Sequence, residues 1–152
     1  PVADFATPVK REVALDATRE VTAMGVTDAR FNRLFFDIVR DITGVSHGDD
    51  GEMWYDYVDN ADALYLEQHL GMAAPCHQML GYPVSSQDDP RQADDQADGD
   101  MSLLIELASQ HSAADGGELV MWGDMGEGLV FIDRERLLRR DFSQVVYTWS
   151  CG

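Results

Sequence analysis

Cys76 and His77 are adjacent, and His69 precedes them. A thiol beside imidazoles is the material of a nucleophile–base pair or of a zinc site. Adjacent side chains usually diverge, so Cys76 and His77 would share a proton only if a third residue re-aimed one of them. Zinc takes a tetrahedral ligand set, commonly in close pairs, and neither C-x₂-C nor H-x₃-H spacing occurs. Cys76 is therefore expected to be a small buried apolar residue.

Two acidic segments invite an ion. Asp94, Gln96, Asp98 and Gly99 approximate the start of an EF-hand loop, but the closing bidentate Glu falls on Ile105. Gln96 stands where an acid is usual, and a strand pattern follows where a helix is required. The segment from Asp88 to Asp100 is instead expected to be a mobile, solvated loop without a cation. In Gly123-Asp-Met-Gly126-Glu-Gly128, backbone N–H groups could hold an anion, or Asp124 and Glu127 a cation. The simpler expectation is that the glycines satisfy the turn and the acids face water. A strand pattern follows this run, so it is not a dinucleotide fingerprint. No Walker loop, nucleophile elbow or basic–aromatic patch is present. No cofactor and no metal are expected.

The charge balance narrows the function classes. Asp+Glu total 28 against Lys+Arg 11, a net charge of −17 with a pI near 4.2. Such a field repels phosphate backbones and anionic lipid, which argues against nucleic-acid and membrane partners. The acidity reads either as a composition bias of the whole genome or as a surface for a basic protein partner. With 152 residues, 45% hydrophobic and 26% charged, the chain is expected to form one domain over 1–152. No apolar run is long enough to span a bilayer, and Pro1-Val2-Ala3-Asp4-Phe5 lacks the pattern of a signal peptide. Cys76 and Cys151 are expected to be free thiols, which places the protein in the cytoplasm.

These residues need elements to position them. Thr7-Pro8 predicts a first helix whose stripe is Val9, Val13, Ala17, Val21 and Met24, stopped at Gly25. Thr27 is the expected cap of a second helix, ended at Gly44. Phe31, Leu34, Phe35, Ile38, Val39 and Ile42 give that helix a broad apolar face, expected to be buried. Residues 43–52 read as a loop, and Met53–Val58 as a short strand or a helix entrance. Asp59 or Asn60 caps a helix through Leu64, Tyr65 and Leu70. Gly81-Tyr82-Pro83 fixes a bend, and Ser85–Asp100 an exposed loop. Strands are predicted at Leu103–Leu107, Leu119–Trp122, Leu129–Ile132 and Val145–Trp149, with Gly123–Gly128 closing a hairpin. Asp133 caps a short helix ending at Arg139-Arg140. Helices first and strands later give α+β: N-terminal helices (about 1–74) packed on a mainly antiparallel sheet from the second half. Trp54, Trp122 and Trp149 are core by default, with an exposed aromatic cluster around Trp54 as a contact surface.

His77-Gln-Met-Leu-Gly81-Tyr82-Pro83 is followed by Gln87-Asp-Asp-Pro90, then Leu103-Leu104-Ile105 and Met121-Trp122-Gly123-Asp124-Met125-Gly126. Phe131-Ile132 and Asp141-Phe142-Ser143 complete the order. Over about 75–152 this order resembles the YwqG-like family of bacterial domains of unknown function. Glu106 departs from that pattern, which usually has Gln there. The resemblance implies a small cytoplasmic protein and no established reaction. The leading expectation is a non-enzymatic protein-binding module, of immunity type, that meets a basic protein. The alternative is a small hydrolase or ligand-binding enzyme with a pocket at His77, Tyr82, Gln87, Trp122 and Asp124. Gly81-Tyr82-Pro83 is expected to lie against Trp122-Gly123-Asp124, with Asp124 accepting the bend's backbone N–H groups.

Overall fold

The computed structural model describes residues 7–47, 53–70, 77–87, 89–93 and 100–151, without the side chains of 66–70 and 93. Cys76, Asp94, Gln96, Asp98 and Gly99, and the side chain of His69, lie outside the described set, and with them the expectations placed on these residues. The elements run α1 (Phe31–Thr43), α2 (Trp54–Tyr57), α3 (Asn60–Leu70), β1 (Gln78–Met79), α4 (Pro90–Ala93), β2 (Ser102–Ala108), β3 (Gln110–His111), β4 (Glu118–Val120), β5 (Glu127–Ile132), α5 (Arg134–Arg139) and β6 (Val146–Ser150). The class is α+β, as the order of patterns predicts.

The expected first helix does not form. Residues 11–23 are exposed and lack helical structure, and Val21 is wholly exposed. The β-branched stripe loses rotamer freedom in a helix, and its first member has a better partner. Val9 bridges Val120; Met121 N–H donates to Pro8 O at 2.8 Å and Lys10 N–H to Leu119 O at 2.9 Å. Residues 8–10 are thus a strand-like addition to β4.

α1 forms where its periodicity places it and stops at Gly44, whose φ of 73° supplies the left-handed cap. Its cap is Arg30 rather than Thr27. The expected burial of its stripe also fails: Leu34, Ile38 and Ile42 are 44%, 58% and 79% exposed. The helix buries Phe36 instead, one residue off the stripe, through an aromatic cluster with α2. Phe31 meets Trp54 edge-on at 5.7 Å, and Phe36 meets Tyr57 at 5.9 Å. Asn32 Oδ1 accepts the Trp54 N–H at 2.7 Å. Aromatic edge-to-face packing, not an aliphatic stripe, decides which way α1 turns. Trp54 itself is accordingly buried, while Tyr55 and Tyr57 beside it are exposed.

The main sheet has order β1-β2-β5-β6, antiparallel throughout, while β3 and β4 form a separate pair. β4 and β5 are therefore not a hairpin: the Gly123–Gly128 turn carries the chain from the small sheet to the large one. Gly128 explains why. The Trp122 ring lies directly over it, and a Cβ there would fall inside the indole. That close approach seats Trp122, two residues beyond β4, directly on β5.

A bulge between Leu103 and Ile105 sets the faces of the sheet. Without it, Ile105 would share a face with Leu103. With it, Glu106 does, opposite Leu129, and Ala108 pairs with Glu127. One face thus carries Leu103, Leu129 and Phe131, all fully buried, and continues into Glu106 and Glu127, also fully buried. α3 and α5 start where predicted: Asp59 Oδ1 accepts from the N–H groups of Ala61 and Asp62, and Asp133 Oδ1 from those of Glu135 and Arg136.

Candidate functional site

The buried sheet face is covered by residues 84–87 and 89–93, and the irregular part ahead of α4 cannot satisfy its own backbone donors. Carboxylates do so. Glu106 Oε2 accepts Val84 N–H at 3.1 Å and Gln78 Nε2 at 2.6 Å, and Gln78 Nε2 also donates to Tyr82 O at 2.9 Å. Glu127 Oε1 accepts Ser86 N–H at 2.9 Å and the hydroxyls of Ser85, Ser86 and Ser150. Its Oε2 is buried without a partner among the described residues.

Ions join the N-terminal part to this layer. Asp28, Asp89 and Arg91 are buried. Arg91 Nη2 lies 2.6 Å from Asp89 Oδ2 and 2.9 Å from Asp28 Oδ2, and Arg30 Nη2 lies 2.8 Å from Asp28 Oδ2. Asp89 also accepts the N–H groups of Ala29 and Arg91. Arg91 reaches Met101 O and stacks over Phe131 at 5.2 Å. Burial works to raise the Asp28 pKa, but the hydrogen bonds from Arg30 and the charges of Arg91 and Arg30 outweigh it and hold the carboxyl below its ordinary value. Two acids and two guanidiniums balance, which is what allows the cluster to be buried.

The opposite face of the sheet differs. Gly128 pairs with Trp149 and Val130 with Tyr147, so both rings of β6 project from this face. Trp149 is 51% and Tyr147 54% exposed, and Trp122 lies 6.0 Å from Tyr147. Burial pushes the Tyr147 phenol above its ordinary pKa. The rings, with Thr7, Pro8, Lys10, Met121 and Gly123, bound a groove of about 250 Å³. β6 ends the strand order, with Val146, Thr148 and Ser150 inward and the two aromatics outward.

The five residues singled out from sequence distribute unevenly. Trp122, itself buried, lines the groove, while Asp124 is exposed and is not among its lining residues. Gln87 Nε2 donates to Cys151 O at 2.7 Å, and Cys151 lies against Gly123, so Gln87 is tied to the same region through Cys151. His77 is elsewhere: its Nε2 is 2.6 Å from Gln110 Oε1, and its Nδ1 is buried without a partner among the described residues. The Tyr82 ring lies under Arg30 at 5.3 Å. The Gly81-Tyr82-Pro83 bend draws on Gln78 and Glu106 rather than on Asp124, because the bulge delivers a carboxylate directly beneath it.

Sequence reasoning missed Tyr147 and Trp149 as surface groups. The signal was present in Val146-Tyr-Thr-Trp-Ser150, where small and aromatic residues alternate on the last strand. Among the described residues no group of three or more His, Cys, Asp or Glu could hold a metal ion. No described helix is long and apolar enough to cross a membrane. Cys151 is a free thiol. A family model described as "Domain of unknown function (DUF1963)" matches residues 2–151, and no curated protein matches the chain.

Proposed function

We propose that this chain, which belongs to the DUF1963 family of domains of unknown function, is a non-enzymatic protein-binding module for a basic partner. The observation that carries the reading is the outer sheet face, where Tyr147 and Trp149 stand half-exposed beside Trp122 on a body of net charge −17. Aromatics with polar tips on an exposed face are the residue types that anchor protein interfaces, and the charge steers basic surfaces toward them. The buried carboxylates, which would otherwise suggest acid–base chemistry, are occupied in holding the covering segment. The imidazole of His77 faces an amide.

The motif order of the second half supports the narrower YwqG-like assignment, and with it a single cytoplasmic domain. Within that reading the module is of immunity type, masking the working surface of a basic protein. The test is affinity capture with the immobilised protein, followed by titration of the purified captured protein. A basic protein that binds stoichiometrically, and more weakly as salt rises, supports the reading. An acidic protein, or one whose affinity ignores salt, contradicts it.

A further inference from the structure

We infer that the groove between Trp122, Tyr147 and Trp149 seats a cationic side chain, an arginine or lysine, presented by the basic partner. The inference rests on the protein-binding reading above and adds the site. Electron-rich ring faces attract a guanidinium or ammonium group, and tryptophan does so most strongly. The chain already uses this contact inside its fold, with Arg91 over Phe131 and Arg30 over Tyr82. Among the described residues the cation–π contacts are those of Arg30 and Arg91, and none is to the three groove rings. Lys10, which lines the groove, donates its Nζ to Thr7 O at 2.7 Å.

Charge decides between occupants. A second copy would bring its own −17 to a surface of the same sign, and like-charged faces disfavour association. A basic segment gains from both the field and the rings. Arginine suits the groove better than lysine, because its planar, weakly hydrated group stacks on aromatic faces.

The test titrates a Gly-Arg repeat peptide and its citrulline counterpart into the full chain at about 0.15 M salt, where exposed charges act over about 8 Å. The arginine peptide is expected to bind and the citrulline peptide to fail. Trp149→Ala and Tyr147→Ala are each expected to weaken binding about tenfold. Trp149→Phe should restore part of the loss, and Ile38→Ala, on the exposed stripe of α1, should change nothing. Thermal melts confirm that each variant is folded. If the wild type fails to bind the arginine peptide, the basic-partner reading falls together with the groove. If it binds and Trp149→Ala binds equally, the groove alone is overturned and the attraction is diffuse charge. Equal binding of the citrulline peptide overturns the cation requirement. A dimer in sedimentation that Trp149→Ala dissolves would assign the face to a second copy instead.

Discussion

Glu106 and Glu127 are diagonal neighbours on one face of β2 and β5, both fully buried, and they hold alternate residues of the same covering segment. Glu106 accepts the N–H of Val84 and Glu127 that of Ser86. A covering helix would bond its own backbone; this irregular chain borrows acceptors from the sheet beneath it. Glu127→Ala removes the acceptor of the part-buried Ser86 N–H and of the Ser85, Ser86 and Ser150 hydroxyls. The expected loss is about 1–3 kcal/mol, read by denaturant unfolding. Hydrogen exchange should show the Ser86 amide losing protection.

Arg91→Ala should cost more, about 3–5 kcal/mol, because it leaves Asp28 and Asp89 buried beside each other without their shared cation. The same unfolding experiment checks it. A loss comparable with that of an exposed substitution would contradict the account of how the N-terminal part is attached.

Acid should act through the same cluster. The Asp28 pKa is lowered in the folded protein, so its stabilisation is fully present above the ordinary carboxylate value of about 4 and is lost as pH falls through the folded value. Melting temperatures should therefore fall steeply below about pH 4. Asp28→Asn should flatten that acid limb while lowering the melting temperature at neutral pH. A parallel limb in the variant would place the acid sensitivity elsewhere.

Much of this architecture was legible in the sequence. α1, α3, α5 and the strands β2, β4, β5 and β6 fall where periodicity, caps and glycines put them. Three departures share one cause: a local pattern does not contain the partner that overrides it. Val9 reads as helical until β4 offers it a strand, and the stripe of α1 reads as core until Trp54 and Tyr57 claim Phe36. The Leu103–Leu107 run reads as a plain strand, because a bulge that turns Glu106 inward depends on β5 across the ladder. For the candidate site, Trp122 was visible through its place beside the glycine-rich turn. The alternation of small and aromatic residues in Val146–Ser150 was visible too, but that the aromatic face is the exposed one depends on the strand order.

Asp124→Ala should be close to silent for stability, within about 0.5 kcal/mol. Its carboxylate is exposed, and the Gly81-Tyr82-Pro83 bend is supplied by Gln78 and Glu106. A thermal melt lowered by several degrees would restore the structural role that the turn sequence suggests.

Gly128→Ala should destabilise by about 1–3 kcal/mol, since the added methyl must displace the Trp122 ring from β5. Near-ultraviolet circular dichroism should register the shifted indole; an unchanged spectrum and an unchanged melt would contradict the packing described.

The most direct measurement pairs stability with affinity in two variants, because the account assigns the buried face to the fold and the outer face to binding. Melting temperature and arginine-peptide affinity are measured for Glu127→Ala and Trp149→Ala. Glu127→Ala should melt lower and, where folded, bind like the wild type, while Trp149→Ala should melt like the wild type and bind about tenfold more weakly. The crossed outcome, with Glu127→Ala abolishing binding at unchanged stability and Trp149→Ala binding normally, would place the working site over the buried carboxylates and contradict the account.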